Sequence, residues 1–369
     1  MPSPWSEQPL KLFYLLFIIP ATLTSLTYVV ASSIFRGLRP DPSWPFQKSA
    51  AVLFVKQVFL RHLCALRPPA PLSLHPGSEG DRFVVIPPAK ESQITGPASD
   101  AEIKPAQLGG TWTPAPVRQQ NDMLVVLHFH GGAYVMGDGR DADTGFIAQN
   151  LLQNTPCTHV FTPQYRLSNN PGGRFPAALQ DALSAFSYLV NDVGIPASNV
   201  ILSGDSAGAN LSIAMLRYIA NHGPQTGFPW PKAALLWSPW VEVASALDPR
   251  NMESHRNYST DYLHSAFGNW GAEALTGFGA VSAEDPYISP VRSPFHIEVP
   301  VWVQTSGKEV FYDDNVRFVK AFRDMGTNVD FYVEEDAPHD IIMMGARIGF
   351  VEEAKRCAVK AGEFLKRIA

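Results

Sequence analysis

One stretch constrains the fold of this chain more than any other: Val200-Ile201-Leu202-Ser203-Gly204-Asp205-Ser206-Ala207-Gly208-Ala209-Asn210-Leu211. A β-branched apolar run enters a G-x-S-x-G pentapeptide, and small residues suited to a closely packed helix leave it. The pattern predicts a tight strand-to-helix turn that holds the serine out at the top of a sheet. Gly204 and Gly208 then have a steric task, because strand and helix approach too closely there for side chains, and the turn residue sits in strained backbone. Ser206 would present its Oγ with a helix N-terminus behind it, where free N–H groups favour negative charge. The pentapeptide alone fits an ordinary βα turn equally well, so its surroundings decide the reading.

The 369 residues suffice for one large α/β domain with additions. With 46% hydrophobic and 17% charged residues, the composition excludes a disordered chain. A net charge of −5 argues against nucleic acid as a partner, since phosphate binding needs a basic face. Cys64, Cys157 and Cys357 are widely spaced and odd in number, with no zinc or redox spacing.

Leu12 to Ile34 carries no charge over 23 residues. As a helix it would span roughly 35 Å, against a hydrocarbon core of about 30 Å. It is expected to be an uncleaved signal anchor rather than a cleaved signal peptide with its cut near Ala31, because signal h-regions run only about 7–15 residues. Arg36, Arg39 and Lys48 follow the span and Lys11 precedes it, a bias that would leave the following domain cytoplasmic. Lys48 to Arg67 is a second apolar segment, interrupted by Lys56 and Arg61. Two readings stand side by side: an interfacial helix lying on a membrane, or a cap helix over a binding site. Residues 72–110 read as loop and edge strand, with Phe83–Ile86 the one clear strand.

Leu124–Phe129 reads as a buried strand running into His130-Gly131-Gly132-Ala133. A glycine pair after a buried strand lets backbone N–H groups face a substrate closely. In acyl transfer the amides of Gly131 and Gly132, with that of Ala207, would hold the oxyanion. His128 and His130 lack the further ligands a metal site needs, so no metal is expected, and His130 is expected to hold its loop by hydrogen bonds.

His130-Gly131-Gly132-Ala133 followed by Gly204-Asp205-Ser206-Ala207-Gly208, with Arg174–Ala182 between and Asp285–Pro290 beyond, resembles the hormone-sensitive-lipase-like family of α/β-hydrolases. The resemblance covers roughly residues 80–369. It implies an α/β-hydrolase fold: a mostly parallel central sheet with helices on both faces, and a cap from the N-terminal region and an insertion. With the membrane segment in front, the chain is similar to the arylacetamide and steryl deacetylases. These are membrane proteins of the endoplasmic reticulum with a lumenal catalytic domain, which conflicts with the charge bias. Two departures stand out: Ala133 replaces the usual third glycine, and Ser168-Asn169-Asn170-Pro171 replaces the family's Ala-Pro-Glu.

The remaining members of a serine triad should follow as acid, then histidine. After the expected strand Pro300–Thr305, Glu309 matches the family's acid position. Asp313 and Asp314 are the alternatives, although acids at a helix start are also favoured by the macrodipole. His339 follows the expected last strand, Val329–Val333. His339 would then act as base to Ser206, with Glu309 orienting the imidazole.

Three segments are therefore expected: a membrane anchor (1–35), a stem with cap helix and first strands (36–110), and a catalytic domain (111–369) with a cap insertion at about 241–297. Most insertion aromatics should pack the cap, one or two walling an apolar pocket. Asn257-Tyr258-Ser259 is a glycosylation sequon, usable in a lumenal domain. The expected activity is hydrolysis of a hydrophobic small-molecule ester without a cofactor. Acyl transfer to an alcohol would use the same acyl-enzyme, and a non-catalytic binding protein on the same fold is the third reading.

Overall fold

A computed structural model describes residues 5, 8–117 and 123–368. Among these, eight strands form one sheet: β1 (Phe83–Ile86), β2 (Leu108–Thr113), β3 (Val125–Phe129), β4 (His159–Pro163), β5 (Val200–Asp205), β6 (Ala233–Trp237), β7 (Val301–Ser306) and β8 (Val329–Glu334). Their order is β1-β2-β4-β3-β5-β6-β7-β8. β2 is antiparallel to both β1 and β4, and the other pairings are parallel. The parallel strands from β3 to β7 are buried almost throughout, and their continuous apolar runs follow from helices covering both faces. This is the α/β-hydrolase architecture expected from the motifs. A division at 110/111 falls inside β2, so the segment before it contributes two strands to the same sheet.

From β3 the chain turns to β4 on one side, and later returns as β5 on the other. Such a reversal of winding opens a crevice at the carboxyl ends of the strands. Phe129 pairs with Gly204, and Asp205 with Trp237, so the loop after β3 and the turn after β5 emerge side by side. Both motifs singled out in the sequence lie there. Trp112, Trp237, Trp302 and Phe161 fill the layers beside and beneath, each fully buried or nearly so.

The second apolar segment is a helix over Phe46–Leu66 with a π-helical stretch at Val55–Leu60. Val52 and Leu60 are buried, and Val55, Phe59 and Leu60 line the cavity above Ser206. Of the two readings, the segment takes the cap position. Lys56 explains how it is held: its buried ammonium donates to the carbonyls of Tyr258 and Asp261 (3.2 Å to the latter) and lies 3.4 Å from the Tyr258 ring centroid. Burial lowers the Lys56 pKa to about 8, although the Asp261 and Glu253 carboxylates act to raise it. The insertion supplies the other half of the cap through helix Ser265–Leu275. Tyr262 and Phe267 reach the cavity, whereas Phe278 stands in solvent.

Helix Leu10–Ile34 packs along the cap helix rather than on the sheet. Tyr14 Oη lies 2.8 Å from His62 Nδ1, and Thr22 Oγ1 lies 2.9 Å from His62 Nε2. Leu16, Phe17 and Ile19 are each more than 60% exposed, so this apolar helix has most of its surface uncovered. It is long and apolar enough to cross a membrane. Phe46–Leu66 is too, but a much larger share of it is buried in the protein.

A methyl group added at Gly208 would collide with the Phe129 carbonyl, which is backbone and cannot rotate away. Gly208→Ala is therefore expected to destabilise the protein by about 3 kcal/mol or more, the upper range for overpacking. Urea unfolding measures this, and a change below about 0.5 kcal/mol would contradict the packing described.

Candidate active site

Ser206 occupies φ 50°, ψ −113° between β5 and helix Ala207–Thr226. The conformation is costly for a non-glycine residue, and two backbone bonds hold it: Ser206 N–H donates to Trp237 O (2.9 Å) and Trp240 N–H donates to Ser206 O (3.1 Å). A Cβ at Gly204 would strike the Gly208 carbonyl, so both motif glycines have the steric task expected of them.

His339 comes from the loop after β8. Its Nε2 lies 2.8 Å from Ser206 Oγ, and its Nδ1 lies 2.8 Å from Glu309 Oε2. All three side chains are at least nine-tenths buried. The other oxygen of Glu309 accepts from the Thr305 hydroxyl, from Ser306 N–H (3.0 Å) and from Asn315 Nδ2 (3.3 Å). A carboxylate with this many donors has its charge and orientation stabilised. The alternative acids lie elsewhere. Asp313 is half exposed and pairs with His255 (3.1 Å) and Arg256 (2.7 Å). Asp314 pairs with Arg317 at 3.1 Å, and burial raises its pKa to about 6.

Two expectations are corrected. Asn257 is not a glycan acceptor: it is buried, and its Nδ2 donates to Gly307 O (2.9 Å) and Glu309 O (3.0 Å), bracing the loop that carries the acid. The sequon is a coincidence of a structural asparagine with a serine two residues on. Gly131 is not available to an oxyanion either, because its N–H donates to Asp205 Oδ2 at 2.7 Å. Gly132 (φ 111°) and Ala133 (φ 52°) carry the loop onward. Their amides have no acceptor among the described residues, and the Ala207 amide, first in its helix, has no intrahelical one. The free amides at this turn are thus those of Gly132, Ala133 and Ala207, in place of the expected Gly131, Gly132 and Ala207. Sequence spacing alone could not show that Asp205, at the second position of the pentapeptide, turns back to occupy the first glycine.

His130 holds its loop as expected. Its ring stacks on Tyr165 at 4.4 Å, its Nδ1 lies 2.7 Å from Gly131 O, and Tyr165 Oη donates to its carbonyl at 2.7 Å. Burial lowers its pKa, against the pull of the Gly131 carbonyl and the Asp205 charge. His128 bonds Asp205 Oδ1 (2.9 Å) and Ser203 Oγ (3.0 Å). Tyr262 and Phe311 place their rings 5.9 and 5.0 Å from that of His339, and shield it.

Two recesses meet at Ser206. The larger includes His339 and is walled by Phe59, Leu60, Tyr262, Met343 and Met344. The smaller, a tight cleft, excludes His339 and is closed by Trp240, Met252, Phe267 and Phe311.

Residues 126–343 match the alpha/beta hydrolase fold family, over half the chain, and the protein belongs to that family. The resemblance to the hormone-sensitive-lipase-like branch is borne out. The chain is 29% identical over 255 residues to an acetyl-hydrolase of Streptomyces hygroscopicus, covering 68% of this chain and 77% of that one. It is likewise 29% identical over 249 residues to an ethyl acetate hydrolase of Pseudomonas putida, covering 66% and 72%. An esterase from the bacterial hormone-sensitive lipase family superposes with a TM-score of 0.60 at 22% identity, covering 94% of this chain and 99% of that one.

Asn257→Ala removes both carbonyl contacts and leaves buried acceptors unpaired. A loss of about 1–3 kcal/mol is expected. Chemical denaturation measures it, and a change within about 0.5 kcal/mol, as for a surface position, would contradict the bracing role.

Proposed function

We propose that the chain is a serine esterase that releases a short acyl group from a hydrophobic alcohol. The class, a carboxylic ester hydrolase, is supported by the named activities of its relatives. The observation that carries the mechanism is the buried line Glu309–His339–Ser206, with both links at 2.8 Å.

In this reading His339 donates Nδ1–H to Glu309, which leaves Nε2 to accept the Ser206 proton as Oγ attacks the ester carbonyl. The negative oxygen that forms is met by the amides of Gly132, Ala133 and Ala207, which the positive-φ backbone at Gly132, Ala133 and Ser206 leaves free. His339 then protonates the departing alcohol. The alcohol must therefore lie on the His339 side, in the larger recess, and the acyl group in the smaller one. Trp240 and Phe311 close the smaller recess, which favours acetyl and similarly short chains. The apolar walls of the larger recess suit a hydrophobic alcohol, and Met343 and Met344 let it adapt. Water attacking the acyl-enzyme completes the cycle.

We further propose that helix Leu10–Ile34 seats the enzyme at a membrane. Its length, its lack of charge after Lys11 and its uncovered Phe17 and Ile19 support this. Because Asn257 is buried, its sequon carries no information about which side the catalytic part faces.

A fluorophosphonate should modify Ser206 stoichiometrically, and mass spectrometry should find no adduct in Ser206→Ala. Folded protein that stays unlabelled would overturn the mechanism. Glu309→Gln should lower kcat on the order of a thousandfold while the protein stays folded. Among p-nitrophenyl esters, kcat/KM should fall at least about tenfold from acetate to octanoate, and the opposite order would reverse the assignment of the two recesses.

A further inference from the structure

The proposed chemistry leaves one buried acid unused. Asp340 directly follows His339 in the left-handed region (φ 50°, ψ 50°) and is 1% exposed. Its amide donates to Ser238 Oγ at 3.2 Å. Neither of its carboxyl oxygens makes a well-formed hydrogen bond to an N–H or O–H among the described residues, and the one amide that acts on it is that of Met343. Beside it stands another carboxyl, that of Asp205: the Asp340 amide rests on Ser238, which directly follows Trp237, the strand partner of Asp205, and the two acids act on each other.

Asp205 is already served by two donors. His128 Nε2 lies 2.9 Å from its Oδ1, and Gly131 N–H lies 2.7 Å from its Oδ2. The chain of bonds runs further back, since Ser203 Oγ contacts His128 Nδ1 at 3.0 Å and takes a hydrogen bond from Trp237 Nε1 at 3.1 Å. Two touching carboxyls in a dry interior cannot both be ionised. The proton belongs on Asp340, the partner with the weaker donors, where it satisfies both acids at once.

We propose that Asp340 is a positioning residue, held as a neutral carboxylic acid that donates its proton to Asp205, and that this bridge fixes the oxyanion loop through the Gly131 amide. It ties together three chain segments that must stay in register: the turn carrying Ser206, the loop after β3, and the loop carrying His339. The effect on turnover rests on the esterase reading above; the bridge itself does not.

The charges around the pair agree. Burial first, and the Asp205 charge next, push the Asp340 carboxyl well above the usual carboxylate range, with Glu309 adding to this. Burial would raise Asp205 as well, but the His128 contact and the bond from Asp340 bring it below its ordinary value. His130 and Tyr262 also face this cluster, from the oxyanion loop and the cap respectively, and the Met343 amide acts on Asp340 from the next turn. The linkage sign follows. Above the ordinary carboxylate range the folded protein holds a proton that the unfolded chain has lost, so stability falls as pH rises through that window. At alkaline pH, ionisation of Asp340 would set two like charges against each other and loosen Gly131.

The test compares the full chain with Asp340→Asn and Asp340→Ala. Asparagine tolerates the left-handed backbone and offers an Nδ2–H in place of the acid proton. Infrared difference spectra, parent minus Asp340→Asn at neutral pH, should show the C=O band of a protonated carboxylic acid. On a short-chain ester, Asp340→Asn should keep kcat within about threefold and lose the alkaline decline of the parent, while Asp340→Ala should lose at least about tenfold in kcat. Absence of the band, an unchanged alkaline limb in Asp340→Asn, or an asparagine variant as impaired as the alanine one would each overturn the proposal. The band needs no turnover and no Asp340→Ala protein. A parent that shows it yet hydrolyses no ester would uphold the bridge and count against the esterase reading instead.

Discussion

The near-contact of β5 with the helix that follows it, at Gly204 and Gly208, is the constraint on which the rest of the site depends. Side chains at either position would drive strand and helix apart. Their closeness forces Ser206 into a positive-φ turn, points its Oγ out of the sheet and leaves the Ala207 amide free beside it. It also lets the loop after β3 lie against the turn, because a Cβ on Gly208 would occupy the space of the Phe129 and His130 carbonyls. The strain is local, and the surrounding hydrogen bonds to Trp237 and Trp240 hold it in place.

Around this turn the buried polar groups form two connected sets. In front of the serine, Thr305, Ser306 and Asn315 hold the side chain of Glu309, and Asn257 holds its backbone. The acid is thus fixed from three parts of the chain before it touches His339. Behind the serine, Asp205 joins His128, Gly131 and Asp340. The two sets share the loop His339-Asp340, whose adjacent side chains serve one set each. In a low-dielectric interior an unpaired member of either set would be expensive, so both act as devices of geometry as well as of stability.

Much of this was legible beforehand, for identifiable reasons. Ser206, Glu309 and His339 sit at the carboxyl ends of β5, β7 and β8, and runs such as Val200–Leu202 and Val301–Val303 reveal where those ends fall. The steric role of two glycines can be read from their spacing on either side of a serine. The roles of Gly131 and Asn257 are hidden from the sequence because each depends on a hydrogen bond to a residue fifty or more positions away. The cap helix stood between two readings, because Lys56 and Arg61 interrupt its apolar pattern. Only the carbonyls of Tyr258 and Asp261, delivered by the insertion, give Lys56 a reason to be buried.

By itself, then, the sequence determined the sheet's parallel core, the turn that presents Ser206, the order of acid and histidine after it, and an apolar N-terminal helix. These follow from local rules: side-chain periodicity, the backbone freedom of glycine, and the charge preferences of helix ends. The tertiary structure decided which amides stay free, which buried carboxyls meet, how the space around Ser206 is divided, and where the cap helix packs. Those outcomes rest on competition among groups distant in the chain for the same few buried hydrogen bonds, and no local pattern encodes the winner.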